Sequence, residues 1–122
     1  MVRLESDLVQ ILLATCKGQL SGVTLDWSKE STLVVVLASK GYYPEDYKRG
    51  TIIKNLQEAE VAASKVKIFH AGTALDSHGN MVAVGGRVLG VTAMGSDIAE
   101  AQERAYQVVN EIIWPDKNYI QC

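Results

Sequence analysis

Residues 82–106 read Val-Ala-Val-Gly-Gly-Arg-Val-Leu-Gly-Val-Thr-Ala-Met-Gly-Ser-Asp-Ile-Ala-Glu-Ala-Gln-Glu-Arg-Ala-Tyr, and their hydrophobic period changes halfway. Up to Ala93 the residues are β-branched or small and apolar, as in a strand. After Gly95 the apolar side chains fall on Ile98, Ala101, Ala105, Val108 and Ile112, the three-and-four spacing of one helix face. Strand, tight turn and helix therefore follow one another. Period two sets Arg87 on the same face as Leu89 and Val91. A guanidinium bordering a buried face is costly unless neutralised, so a carboxylate from elsewhere in the fold or a bound anionic ligand is expected beside it.

The other segments supply partners for this unit. Ser6 or Asp7 caps a helix whose apolar positions Leu8, Ile11 and Leu12 line one side, with Gly18 as its stop. Residues 23–27 form a short strand and 32–38 a buried one. Residues 39–50, with two glycines, a proline and Tyr42, Tyr43 and Tyr47, form a long loop ordered by its rings or offering hydroxyls to a bound sugar. A short strand at 52–53, a short helix over 56–63 and a strand over 66–75 follow. Asp76-Ser77-His78-Gly79-Asn80 closes an antiparallel hairpin, pairing Leu75 with Met81. Extended backwards, that register sets Gly72 opposite Val84, His70 opposite Gly86 and Phe69 opposite Arg87. The clusters His70-Ala71-Gly72-Thr73 and Gly85-Gly86-Arg87 then lie side by side, leaving bare backbone for a ligand or another backbone to approach. The last helix starts at Asp97, which with Glu100 imitates a capping box, and ends before Trp114-Pro115; the tail beyond is polar, anchored by Tyr119 and Ile120.

Several chemistries lack their residues. No Gly-x-Gly-x-x-Gly or Gly-x-x-x-x-Gly-Lys-Ser/Thr is present, and Asp97 and Glu100 would repel a phosphate from the start of the last helix. Two histidines without a matching acidic cluster argue against zinc, and no nucleophile or acid-base pair is recognisable. A net charge of -2 over 122 residues excludes the footprint of a nucleic-acid or lipid binder, and the longest apolar runs fall far short of a membrane span. Two isolated cysteines suit a reducing compartment. His70 is read as a hydrogen-bonded, half-buried histidine or a ligand contact. Lys40 faces solvent or reaches an anion. Arg87 holds a ligand anion or a structural ion pair.

Met1-x-Arg3-Leu4-Glu5-Ser6-Asp7-Leu8, Ala38-Ser39-Lys40-Gly41-Tyr42, Phe69-His70-Ala71-Gly72-Thr73-Ala74, Gly85-Gly86-Arg87-Val88-Leu89-Gly90-Val91-Thr92-Ala93 and Ala99-Glu100-Ala101-Gln102-Glu103-Arg104-Ala105-Tyr106 occur in one order across nearly the whole chain. In these blocks the chain resembles the C-terminal part of the glycinamide ribonucleotide synthetase family, ligases of the ATP-grasp superfamily. The resemblance implies joining of glycine to phosphoribosylamine with ATP and magnesium, both held upstream and neither by this part, which alone would be inactive. Residues 1–20 would be the last helix of the ATP-grasp domain, and 21–122 a small C-terminal domain that closes over the substrates. Arg87-Val88-Leu89-Gly90 matches an Arg-x-x-Gly segment used by related enzymes for a ribose phosphate. Substrate contacts are accordingly expected at Arg87, Gly86, Gly85, His70, Gly72, Thr73 and Lys40. The ending Ile120-Gln121-Cys122 replaces the Arg-x-Asp-Ile-Gly usual in the family.

The expected fold is α+β, an antiparallel sheet with a packed C-terminal helix and an N-terminal helix from the ATP-grasp domain. The expected partners are the upstream ATP-grasp portion, phosphoribosylamine and glycine, with no nucleic acid and no membrane, in the cytoplasm. Two alternatives stay open: a stand-alone sugar-phosphate-binding or regulatory module without catalysis, and a purely structural interaction domain.

Overall fold

A computed structural model describes residues 1–39, 50–115 and 117–121, the last stretch through its backbone alone. The buried run becomes β1 (Ser31–Ser39), and the strand bearing Arg87 becomes β6 (Arg87–Gly95). They pair antiparallel from Ser31↔Gly95 to Ala38↔Arg87. β3 (Val66–His70) joins the free side of β6, and β7 (Lys117–Gln121) joins that of β1, giving a four-stranded sheet in the order β3-β6-β1-β7. A second, three-stranded sheet holds β2 (Thr51–Ile52), β5 (Met81–Ala83) and β4 (Thr73–Leu75), in that order. The fold is α+β with antiparallel sheets, as expected.

One face of the larger sheet carries the core. Leu33, Val35 and Leu37 of β1, Leu89, Val91 and Ala93 of β6 and Ile68 of β3 pack with Ala101, Ala105, Val108 and Val109 of the long helix α3 (Ile98–Glu111). Each such valine or leucine removed from water contributes roughly 1.5–3 kcal/mol before conformational entropy is counted. α3 approaches so closely because Gly95 has no side chain: a Cβ there would lie 2.6 Å from the Ala101 nitrogen. Its start is capped by Asp97, whose Oδ1 accepts from the Glu100 N–H at 2.8 Å. The return bond of the capping box goes one residue further back than expected. Glu100 Oε2 accepts from the Ser96 N–H at 3.1 Å and from the Ser96 hydroxyl.

These bonds, the Ser96 hydroxyl foremost, hold the Glu100 carboxyl below its usual range, with a smaller contribution from Arg104. A depressed carboxyl adds stability that is complete above its unfolded pKa and disappears as pH falls through its folded one. Glu100→Gln is therefore expected to lower Tm at pH 7 and to converge with the parent once pH has fallen below the depressed pKa of the folded-state carboxyl. A gap that persists in acid would show that charge is not the cause.

Two expectations require correction, and two further elements are newly placed. Residues 66–75 are not one strand: β3 and β4 belong to different sheets, and the chain turns between them at Ala71 and Gly72, whose N–H groups both donate to Val88 O at 2.9 and 3.0 Å. Residues 23–27 form no strand beyond a single bridge between Leu4 and Trp27. The tail, for which no element is predicted, supplies β7 at the open edge of β1. In α1 (Leu8–Cys16), capped by Asp7 as expected, no residue is buried, so its apolar side has no core here. The tyrosine loop and Lys40 lie outside the described residues.

Candidate functional site

The two glycine clusters do meet, at the point where the hairpin passes from one sheet to the other. Gly72 O accepts from Val84 N and Gly85 N at 2.9 and 3.2 Å. A Cβ on Gly72 would stand 2.4 Å from Arg87 O and 3.0 Å from Gly85 Cα. Backbone, not ligand, fills the space that these glycines leave bare. Ser39 clamps the far side, its N–H donating to Gly86 O at 2.7 Å and its hydroxyl to Gly85 O at 3.0 Å.

This crossing changes the register. Leu75↔Met81 holds in the hairpin, yet Phe69 faces Gly90 and His70 faces Leu89, three residues beyond the partners Arg87 and Gly86 that continuous pairing expects. A second irregularity lies between β1 and β6, where Leu37 faces Leu89 but Ala38 faces Arg87, leaving Val88 as the extra residue of a bulge. Residues paired across strands share a face, so the bulge moves Arg87 off the Leu89 and Val91 face onto the opposite one. Arg87 is exposed there, and no carboxylate of the described residues pairs with it. Among the described residues Arg87 therefore has no ion-pair partner, and an exposed guanidinium needs none to offset burial.

Arg87 lines an open depression of about 590 Å³ with Gly86, Gly90, Val36, Phe69 and Ala71. Val36, Gly90 and Phe69 form one row across β1, β6 and β3, with the glycine in the middle. The sequence reading missed Phe69 and Val36 as walls, since only the three-strand register brings them beside Gly90. The signal in the chain was Gly90 itself, a glycine inside a strand.

His70 and Thr73 are placed elsewhere. His70 Nδ1 and Thr73 Oγ1 lie 2.9 Å apart, and His70 lines a second depression, between the sheets, with Ile68, Glu60, Leu75 and Met81. His70 is exposed, not half-buried. It shares its face with Leu89, whereas Arg87 is on the other, so the two stand on opposite faces of the sheet. Among the described residues no group of three or more His, Cys, Asp or Glu side chains converges as a metal site, and no helix is long and apolar enough to cross a membrane.

Residues 32–120 match the family model described as phosphoribosylglycinamide synthetase, C domain. A chloroplastic phosphoribosylamine–glycine ligase of Arabidopsis thaliana is 67% identical over 94% of the chain. The ligases of Vigna unguiculata and Escherichia coli K12 are 63% and 47% identical over 94% and 95% of it. The chain spans 21%, 37% and 26% of the lengths of these three proteins. The crystal structure of the phosphoribosylamine–glycine ligase of Thermotoga maritima superposes with a TM-score of 0.66 at 26% identity, covering 88% of this chain and 26% of that one.

Proposed function

Because the chain belongs to the phosphoribosylglycinamide synthetase family, through its C domain, we propose that it forms the substrate-closing C-terminal part of a phosphoribosylamine–glycine ligase. The whole enzyme joins glycine to phosphoribosylamine, consuming ATP and releasing ADP and phosphate, in purine biosynthesis. ATP and magnesium are held by an ATP-grasp portion N-terminal to this chain. The described residues do not fit them, having no phosphate-cradling loop and no convergent carboxylates. The task of this part is to bind and orient the ribose phosphate, so that the amine is presented in a fixed geometry.

One observation carries the reading: the exposed Arg87 guanidinium, with no carboxylate partner among the described residues, beside Gly86 at the depression, a fork suited to a phosphate. We divide the chain at residue 20, assigning 1–20 to the ATP-grasp domain and 21–122 to the C-terminal domain. In favour, α1 leaves Val9, Leu12 and Leu13 exposed at 70, 55 and 47%, a face that suits cover by the preceding domain. The compartment we assign is the cytoplasm, although the Arabidopsis relative is named as chloroplastic.

The full-length protein is expected to release ADP only when glycine and phosphoribosylamine are both present, and to lose this coupling when residues 21–122 are excised. ADP release independent of either substrate would overturn the assignment.

A further inference from the structure

The stretch from Val84 to Gly86 carries the chain from β5 in one sheet to β6 in the other and belongs to no strand. Gly85 and Gly86 bring no side chains that could lock its main chain, and glycine has the most backbone freedom to lose. Arg87 follows directly, so the aim of its guanidinium is inherited from these two peptide units. Ser39 fixes both of them. Its hydroxyl donates to Gly85 O at 3.0 Å and its N–H to Gly86 O at 2.7 Å. A peptide unit is planar, so holding Gly86 O also holds the Arg87 nitrogen in the same plane. Ser39 is 1% exposed, the most deeply buried polar side chain of the described residues, and a hydroxyl so placed would cost stability without the bond that it makes.

These bonds belong to one register. Beyond the bulge at Val88, Ala38 faces Arg87 and the Ser39 N–H reaches Gly86 O. Without the bulge, Ala38 would face Val88 and Ser39 would face Arg87. The Ser39 donors would then miss the carbonyls that they now hold by one residue, and Arg87 would return to the face of Leu89.

Resting on the Arg87 assignment above, we propose that Ser39 is a positioning residue for the ligation: by holding the Gly85 and Gly86 carbonyls it keeps the bulged register, and with it the direction in which Arg87 meets phosphoribosylamine. Ser39→Ala removes the hydroxyl bond but leaves the main-chain bond to Gly86 O, so the ladder stays while the Gly85 peptide is released.

The test measures both substrates in the full-length protein. Ser39→Ala is expected to raise KM for phosphoribosylamine by about two- to tenfold, the net worth of one neutral hydrogen bond, and to leave KM for ATP unchanged. A purely structural role would lower Tm without splitting the two KM values. In an Arg87→Ala background the same substitution is expected to add nothing, because a residue that acts through Arg87 has nothing left to aim. An unchanged KM for phosphoribosylamine, equal rises for both substrates, or an undiminished further loss in the Arg87→Ala background overturns the role of Ser39 and leaves Arg87 standing. If Arg87→Ala itself leaves KM for phosphoribosylamine unchanged, the Arg87 reading falls, and Ser39 with it. Should Ser39→Ala fail to fold, Ser39→Cys, close in size with a weaker donor, takes its place, and the same split and the same double-mutant comparison decide.

Discussion

Gly72→Ala is expected to cost about 3 kcal/mol of stability, the upper end of what an added methyl group does in a packed place. A Cβ at residue 72 meets Arg87 O at 2.4 Å and Gly85 Cα at 3.0 Å, both backbone atoms, the first in the ladder to β1 and the second fixed by the hydrogen bonds of Gly85 to Gly72 O and Ser39. Neither can swing aside as a side chain does. Relief would require parting the two arms of the hairpin where Gly72 O holds Val84 N and Gly85 N, and loosening the bonds from Ala71 and Gly72 to Val88 O. In a domain of 122 residues this corresponds to a fall in Tm on the order of 10 °C. Gly90→Ala, with ordinary contacts around its Cβ, is the matched control and is expected to change Tm little. Thermal denaturation of the two variants followed by circular dichroism makes the comparison. Equal midpoints would show that the crossing of the strands is looser than its distances imply.

The second large effect concerns substrate. In the full-length protein, Arg87→Ala is expected to raise KM for phosphoribosylamine by about 10–100-fold, as a hydrogen-bonded charge pair is worth roughly 1.5–3 kcal/mol and each 1.4 kcal/mol is tenfold. KM for ATP should hold, because the proposal keeps ATP on the other domain. Arg87→Lys should recover part of the loss, since an ammonium supplies charge without the two-pronged fit of a guanidinium. Arg87 is exposed and has no carboxylate partner among the described residues, so its removal leaves no orphaned charge and the fold should survive. Equal losses toward ATP and phosphoribosylamine, or none, would detach Arg87 from the ribose phosphate.

Much of the architecture could be read from local patterns. The run from Thr32 to Ala38, the helix spacing from Ile98 to Ile112, the Asp7 and Asp97 caps and the turn at Asp76 each depend on residues within a few positions of one another. The family blocks were legible for the same reason, being contiguous stretches. Arg87 was likewise identifiable as the cation of the strand, but its direction was not.

Chain order and hydrophobic period by themselves determined the elements, the antiparallel hairpin and the meeting of its two glycine clusters, since propensity, capping and turn geometry act over short separations. Only the tertiary structure decided the three-residue offset between the two sheets, the bulge that turns Arg87 away from the core, the capture of β7 by β1 and the row of Val36, Gly90 and Phe69. Each of these arises from pairing between segments far apart in the chain. Where one strand slips by a residue against a distant partner, every side chain beyond that point changes face, and no local pattern records it.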